Sequence, residues 1–225
     1  MTFKLLIFDL DDTLIDTFST FSPSRLSDSL QTMIDYGLKI DSPSEALKRL
    51  IEIDSKSSSV KETIKNFVTE ISAFEVEKYS SIGIKKYYEE FKGNCQLKPV
   101  DGALELLQKL QKRYNLAIVS KGLKETQYWK INKAGIKKEW FKKIIIVSEE
   151  KKTAYASLLQ ENGYKSSEVL VCGDKYELDL VPAKELGLTT IYFIWGRAKN
   201  NKNKVITDYT INDLKEILKI VKLKE

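Results

Sequence analysis

The stretch Leu5-Leu6-Ile7-Phe8-Asp9-Leu10-Asp11-Asp12-Thr13-Leu14 (LLIFDLDDTL, residues 5–14) decides the fold. Its apolar beginning reads as a short strand over 3–8, buried on both faces. Three carboxylates, Asp9, Asp11 and Asp12, follow at once. Like charges at that spacing repel one another, and at the mouth of a buried strand they also lose hydration. A strand-to-turn cap needs one Asp, not three. The cluster therefore implies something that uses its negative charge, with Asp12 assigned to local capping.

Beyond this stretch, residues 16–96 carry helix signals only. Ser42-Pro43-Ser44-Glu45 and Ser59-Val60-Lys61-Glu62 have the spacing of capping boxes. Leu26, Leu30, Met33 and Ile34 keep helical spacing up to Gly37, and Ile84, Tyr87, Tyr88 and Phe91 do so up to Gly93. Four amphipathic helices in a row predict a small bundle.

From Pro99 the rhythm changes. Helices are predicted over 101–113 (on Leu104, Leu107 and Leu110), 123–134, 153–162 and 177–186. They alternate with strands over 116–119, 144–147, 169–172 and 189–193. Such alternation predicts an α/β fold, a doubly wound parallel sheet of Rossmann-like type covered on both faces. The first strand must join that sheet. The expected organisation is a core of residues 1–15 and 97–225, with 16–96 inserted as a helical domain.

Composition narrows the class. With 225 residues, 42% hydrophobic and 31% charged, the chain can bury a substantial core and is not of disordered type. No apolar run approaches the ~20 residues of a membrane span, and the immediate strand pattern at the N-terminus predicts no leader. Cys95 and Cys172 lie far apart and outside any metal-type spacing, which points to free thiols in a reducing cytosol. The chain has no histidine, so His-assisted serine and cysteine hydrolases and His-ligated metals are excluded. The net charge is +5. The lysines are scattered among glutamates, which reads as a solvated surface, and nucleic acid is not expected as a partner.

In open α/β sheets ligands bind beyond the carboxyl ends of the strands. Asp9, Asp11, Asp12 and Thr13 fall there after the first strand, Ser120 after the second, and Gly173-Asp174 after the strand 169–172, with Asp179 five residues further on. Convergent carboxylates are tolerable around a cation, and an all-oxygen ligand set favours Mg²⁺. Magnesium beside carboxylates suggests phosphate.

Four motifs now carry a resemblance. Asp9-x-Asp11-x-Thr13 after an apolar strand, Ser120 at the end of Leu116-Ala117-Ile118-Val119, Lys151 or Lys152 ahead of the helix 153–162, and Gly173-Asp174-x-x-x-x-Asp179 resemble, in order and spacing, the motifs of the haloacid dehalogenase (HAD) superfamily. The insertion 16–96 is similar to the cap of its first subclass. The likeness implies that Asp9 is the nucleophile that becomes an aspartyl phosphate, and that Asp11 is the proton donor and acceptor. It implies Mg²⁺ held by the Asp9 carboxylate, the Asp11 carbonyl and Asp174, with Asp179 orienting the lysine or the metal's waters. Thr13, Ser120 and one of the lysines would hold the phosphate. The chain reads Ser120-Lys121-Gly122 where the family often has Ser/Thr-Asn-Gly, and Lys151-Lys152 where it often has Lys-Pro. Lys121 could face phosphate or solvent, and Lys151 is preferred over Lys152.

What the resemblance implies is a Mg²⁺-dependent phosphatase of a small phosphorylated metabolite; monomer and homodimer both stay open. The alternatives are a sugar phosphomutase, a phosphonate hydrolase using a cap lysine (Lys56, Lys61 or Lys65), or a non-enzymatic phosphate-binding relative. A haloacid dehalogenase is disfavoured, because it needs neither the second carboxylate nor the metal. Phe18 and Phe21 either touch substrate or pack where the chain leaves the core. Cys172, Tyr87, Tyr88 and Trp129 are assigned to packing.

Overall fold

The computed structural model describes residues 3–57, 59–72, 74–89, 95–201 and 205–222. Strand β1 (Leu5–Phe8) is completely buried. After it the chain runs through α1 (Thr17–Thr20), α2 (Ser22–Asp35), α3 (Pro43–Asp54), α4 (Val60–Ile71) and α5 (Val76–Tyr88). It then returns through α6 (Ala103–Leu110), β2 (Asn115–Lys121), α7 (Lys124–Lys133), β3 (Lys143–Val147), α8 (Lys152–Asn162) and β4 (Val169–Gly173). A π-helical turn (Tyr176–Leu180), α9 (Val181–Lys184), β5 (Thr189–Phe193), β6 (Tyr209–Ile211) and α10 (Glu216–Ile220) follow.

The six strands form one parallel sheet in the order β3-β2-β1-β4-β5-β6. The two-residue period of a strand separates its faces. Leu6, Phe8, Leu116, Ile118, Leu170 and Cys172 pack on one side with α6 and α10, whereas Leu5, Ile7, Ala117, Val119, Val169 and Val171 pack on the other with α8 and α9. The chain reverses its direction of travel across the sheet at β1. The β1–β4 junction is thus the switch point, where such sheets open a crevice. Among the described residues no helix is long and apolar enough to cross a membrane.

The helices α2–α5 enclose a separate apolar cluster that includes Leu26, Leu30, Met33, Leu50, Ile64, Phe67 and Val68. Gly83 lets α5 approach closely, since a Cβ there would lie 2.7 Å from Met33 Sδ. The bundle joins the sheet domain through two adjacent crossings. The Asp16 N–H donates to Lys98 O (3.0 Å) and the Val100 N–H to Leu14 O (3.0 Å). A buried charge network adds a third link. Arg197, in the turn after β5, donates from Nη2 to Asp54 Oδ2 of α3 (2.8 Å) and to Ser22 Oγ of α2 (2.7 Å). Its Nη1 lies 3.8 Å from Asp12 Oδ2.

Several local expectations change. Helix α6 ends at Leu110 rather than 113, and it buries Leu106, Leu107 and Leu110 while Leu104 is only half-buried. Ser42 makes no capping hydrogen bond; its hydroxyl lies 3.3 Å from Ser44 Oγ. Ser59 does cap, accepting from the Glu62 N–H at 3.2 Å. The segment expected as helix 177–186 begins as the π-helical turn, because Asp179 is drawn back onto the backbone ahead of it. Strand β6 and α10 went unseen, the former being three residues long and mostly exposed. Phe91 and Gly93 lie outside the described residues.

Removing one partner of a buried ion pair leaves the other charge uncompensated. Asp54→Ala is accordingly expected to lower stability in urea unfolding by about 3–5 kcal/mol. A loss below about 1 kcal/mol, the range of exposed pairs, would show that Arg197 is not held by this contact.

Candidate active site

The site is assembled at the carboxyl ends of β1, β2 and β4. The Asp9 N–H donates to Cys172 O at 2.9 Å, continuing the β1–β4 ladder by one residue. This places the Asp9 carboxylate beside the end of β4, where Asp174 follows. Carboxylate oxygens of Asp9, Asp174 and Asp179 all lie within 4.8 Å of one another, and all three residues are buried.

Lys151 counters this charge. Its Nζ donates to Asp9 Oδ1 (2.5 Å) and to Asp179 Oδ1 (2.6 Å), and the residue is 3% exposed. The other oxygen of Asp179 accepts the Lys175 backbone N–H at 2.9 Å. Gly173 makes room for it, because a Cβ at that position would come within 2.5 Å of Asp179 Oδ2. The glycine before Asp174 is therefore a steric requirement of the lysine's second partner.

Asp174 differs from its neighbours. Both of its carboxylate oxygens are buried without a hydrogen-bond partner. Burial drives its pKa well above the ordinary value, opposed by the Lys175 charge and reinforced by Asp12, Asp179 and Asp9. Asp9 is pushed up to about 6 by burial, with Lys151 pulling the other way. Unpartnered carboxylate oxygens facing further carboxylates fit a hard, oxygen-seeking divalent cation.

Asp11 does not join this cluster through its side chain. Lys130 Nζ donates to its Oδ1 (2.7 Å) and Gln127 Nε2 to its Oδ2 (2.8 Å). Burial raises the Asp11 pKa, but the Lys130 charge and these hydrogen bonds outweigh it and leave it below the usual range. Strand-end position alone did not distinguish Asp11 from Asp9 and Asp174, and the structure separates its carboxylate from theirs. Asp179 completes the carboxylate trio, and the Asp11 carboxylate faces α7.

The remaining candidates divide. Ser120 is buried, and its Oγ accepts from Gln127 Nε2 at 2.6 Å. Thr13 is buried next to the acids, with its hydroxyl unpartnered. Lys121 is exposed and lines an open groove with Glu149, Glu150 and Glu177. Lys152 turns away from the carboxylates to pair with Glu185 at 2.7 Å, so it is not brought to the site. It is the first residue of α8, whereas Lys151 occupies the N-cap position without a side-chain capping bond. Asp12 accepts from Thr17 Oγ1 (2.8 Å) and the Phe18 N–H (2.7 Å), fixing the exit toward the bundle. The Phe18 ring packs on the Arg197 guanidinium at 5.0 Å, and Phe21 lies buried under Lys130.

Four charged or polar residues were missed in sequence: Gln127, Lys130, Lys175 and Arg197. One signal was available for the first two. Gln127 and Ile131 are four residues apart, so the helix predicted over 123–134 carries polar residues on the face that holds its core isoleucine.

Comparison with known proteins bears on the family and the fold. The family model of haloacid dehalogenase-like hydrolases matches residues 6–193. A relative from Methanocaldococcus jannaschii, named glyceraldehyde 3-phosphate phosphatase, is 31% identical over 227 residues, covering 97% of each chain. A protein of the same name from Pyrococcus furiosus is 26% identical, covering 97% of this chain and 92% of its own. The solved structure of the HAD-hydrolase YfnB from Bacillus subtilis, described as bound to magnesium and as revealing interdomain movement, superposes with a TM-score of 0.63 at 18% identity, over 99% of this chain and 100% of that one. The match runs from β1 to the end of β5 and so takes in every strand end that carries the site; by sequence and by fold, the chain belongs to the haloacid dehalogenase-like hydrolase family.

Proposed function

We propose that this chain is a Mg²⁺-dependent phosphatase that hydrolyses a small phosphorylated metabolite through an aspartyl-phosphate intermediate. The observation that carries this reading is the pair of unpartnered Asp174 oxygens beside the Asp9 carboxylate, with the Lys151 ammonium on that same carboxylate. The names of the relatives make glyceraldehyde 3-phosphate the first substrate to test.

Asp9, the Asp11 carbonyl and Asp174 would hold the metal. Bound there, it would supply positive charge that offsets repulsion between the anionic nucleophile and the anionic phosphate. The residues of the chain do the rest. An oxygen of Asp9 bonds to phosphorus as the ester bond breaks, and Asp11 passes a proton to the departing oxygen. Water then attacks phosphorus, giving its proton to Asp11 and releasing Asp9. Lys151 holds a phosphoryl oxygen as a point charge, steered by Asp179, while Ser120 and Thr13 offer hydroxyls.

Residues 16–96 act as a cap that admits small substrates and excludes water when closed. Such a cap suits a metabolite rather than a protein or nucleic acid. The free thiols of Cys95 and Cys172 suit a cytoplasmic setting. A phosphonate hydrolase is less well supported. Lys56, Lys61 and Lys65 are exposed, and Lys65 pairs with Glu77 at 2.8 Å.

Asp9→Asn is expected to abolish phosphate release from glyceraldehyde 3-phosphate and from p-nitrophenyl phosphate, with an unchanged circular dichroism spectrum. Retained turnover in this variant would remove Asp9 from its role. Chelation with EDTA is expected to stop the wild-type reaction, and added Mg²⁺ to restore it; activity that survives exhaustive chelation counts against the metal. The two lysines separate cleanly. Lys151→Met should lower kcat by at least about 100-fold, whereas Lys152→Met should stay within about threefold, the scale of a lost surface pair. The reverse order would assign the phosphate to Lys152.

A further inference from the structure

We propose that Gln127 and Lys130, one turn apart on α7, are positioning residues that hold the Asp11 carboxylate where the attacking water meets it. The inference rests on the phosphatase reading above and adds two residues to its machinery.

The geometry is specific. Gln127 is 2% and Lys130 7% exposed, although they belong to a helix whose outer face is open to solvent. Burying an amide and an ammonium on one helix face is costly unless both are satisfied. Here they share one target, taking the two oxygens of Asp11 at 2.8 and 2.7 Å. The Gln127 amide also reaches Ser120 Oγ at 2.6 Å, so a single side chain ties the end of β1 to the end of β2.

Each of the pair is braced in turn. A Cβ at Gly122 would come within 3.2 Å of Gln127 Cδ, so the Gly122 backbone packs directly against that amide. The Lys130 ammonium lies 4.7 Å from the Phe21 ring centroid, and Phe21 stands 6.0 Å from Trp129. Nothing in this clamp touches the Asp9–Lys151–Asp179 group through a hydrogen bond.

Asp11 needs such a clamp because of its neighbours. A carboxylate two residues from Asp9 has every electrostatic reason to turn toward a cation held there, where it would be unable to take a proton from water. Charge-assisted hydrogen bonds from the opposite side keep it turned outward. In the second half of the cycle a water oxygen bonds to phosphorus, the bond from phosphorus to Asp9 breaks with its electron pair returning to the carboxylate, and the water's proton goes to Asp11. A misplaced Asp11 slows that step in particular.

p-Nitrophenyl phosphate isolates it, because nitrophenolate departs without being protonated. In rapid-mixing experiments, Gln127→Met and Lys130→Met are expected to release about one nitrophenolate per enzyme molecule in a fast burst. A steady state about 10- to 100-fold slower than wild type should follow, the cost of misplacing a reacting group by about an ångström. Radiolabelled aspartyl phosphate should accumulate in acid-quenched samples, and Lys130→Arg should recover most of the rate. Wild-type turnover in the same experiment tests the phosphatase reading separately. Two results would overturn the clamp: variants that turn over at the wild-type rate, or burst amplitude and steady rate falling together without phosphoenzyme. The latter is the signature of lost folded protein, and it would assign the pair a structural role only.

Discussion

The site depends on one ammonium group. Lys151 stands between Asp9 and Asp179, at hydrogen-bond distance from both and nearly free of water. Three carboxylates at the end of two adjacent buried strands would otherwise force each other apart or take up protons. The lysine compensates two of them, while the third, Asp174, has the Lys175 charge nearby but no hydrogen-bond donor. The imbalance is informative. A purely structural cluster would be closed by its own hydrogen bonds, whereas this one leaves two buried carboxylate oxygens without a donor at the mouth of the crevice.

The surroundings serve that arrangement. Gly173 is bare so that Asp179 can fold back under it, and the π-helical turn that follows is the backbone's response. The switch in strand order at β1 brings the ends of β1 and β4 side by side. On the other flank, Asp11 belongs to a distinct group with Gln127, Lys130 and Ser120. Two carboxylates only two residues apart thus occupy opposite electrostatic environments. Asp9 is pushed up by burial and Asp11 held down by Lys130 and its hydrogen bonds, so each carboxylate answers to its own partners.

Asp12, the third acid of the opening stretch, works outward instead. It receives the first turn of α1 and faces Arg197, which in turn grips Asp54 and Ser22 of the helical bundle. The residue next to Asp11 is therefore mechanically connected to the bundle through a buried ion pair. Any movement of the bundle away from the sheet domain must break charge contacts that are screened from water.

Much of this was legible in the chain itself. The double-faced apolar strands, the alternation of strand and helix after Pro99, and the run of helix caps before it follow from local periodicity and capping chemistry, which act over a few residues. The positions of Asp9, Asp11, Ser120 and Asp174 at strand ends follow from the same reasoning. What local pattern does not contain is partnership across the chain. Lys151 and Lys152 are adjacent in sequence, and only the packing of α8 buries the first on Asp9 while leaving the second on Glu185. The turning of Asp11 toward Lys130 spans 119 residues, and the Arg197–Asp54 link spans 143. The sequence by itself determined the elements and the carboxylates that punctuate them, because those are properties of short segments. Tertiary structure alone decided which charge meets which, because Coulomb and hydrogen-bond energies depend on distances in space that only the closed sheet and the docked helices define.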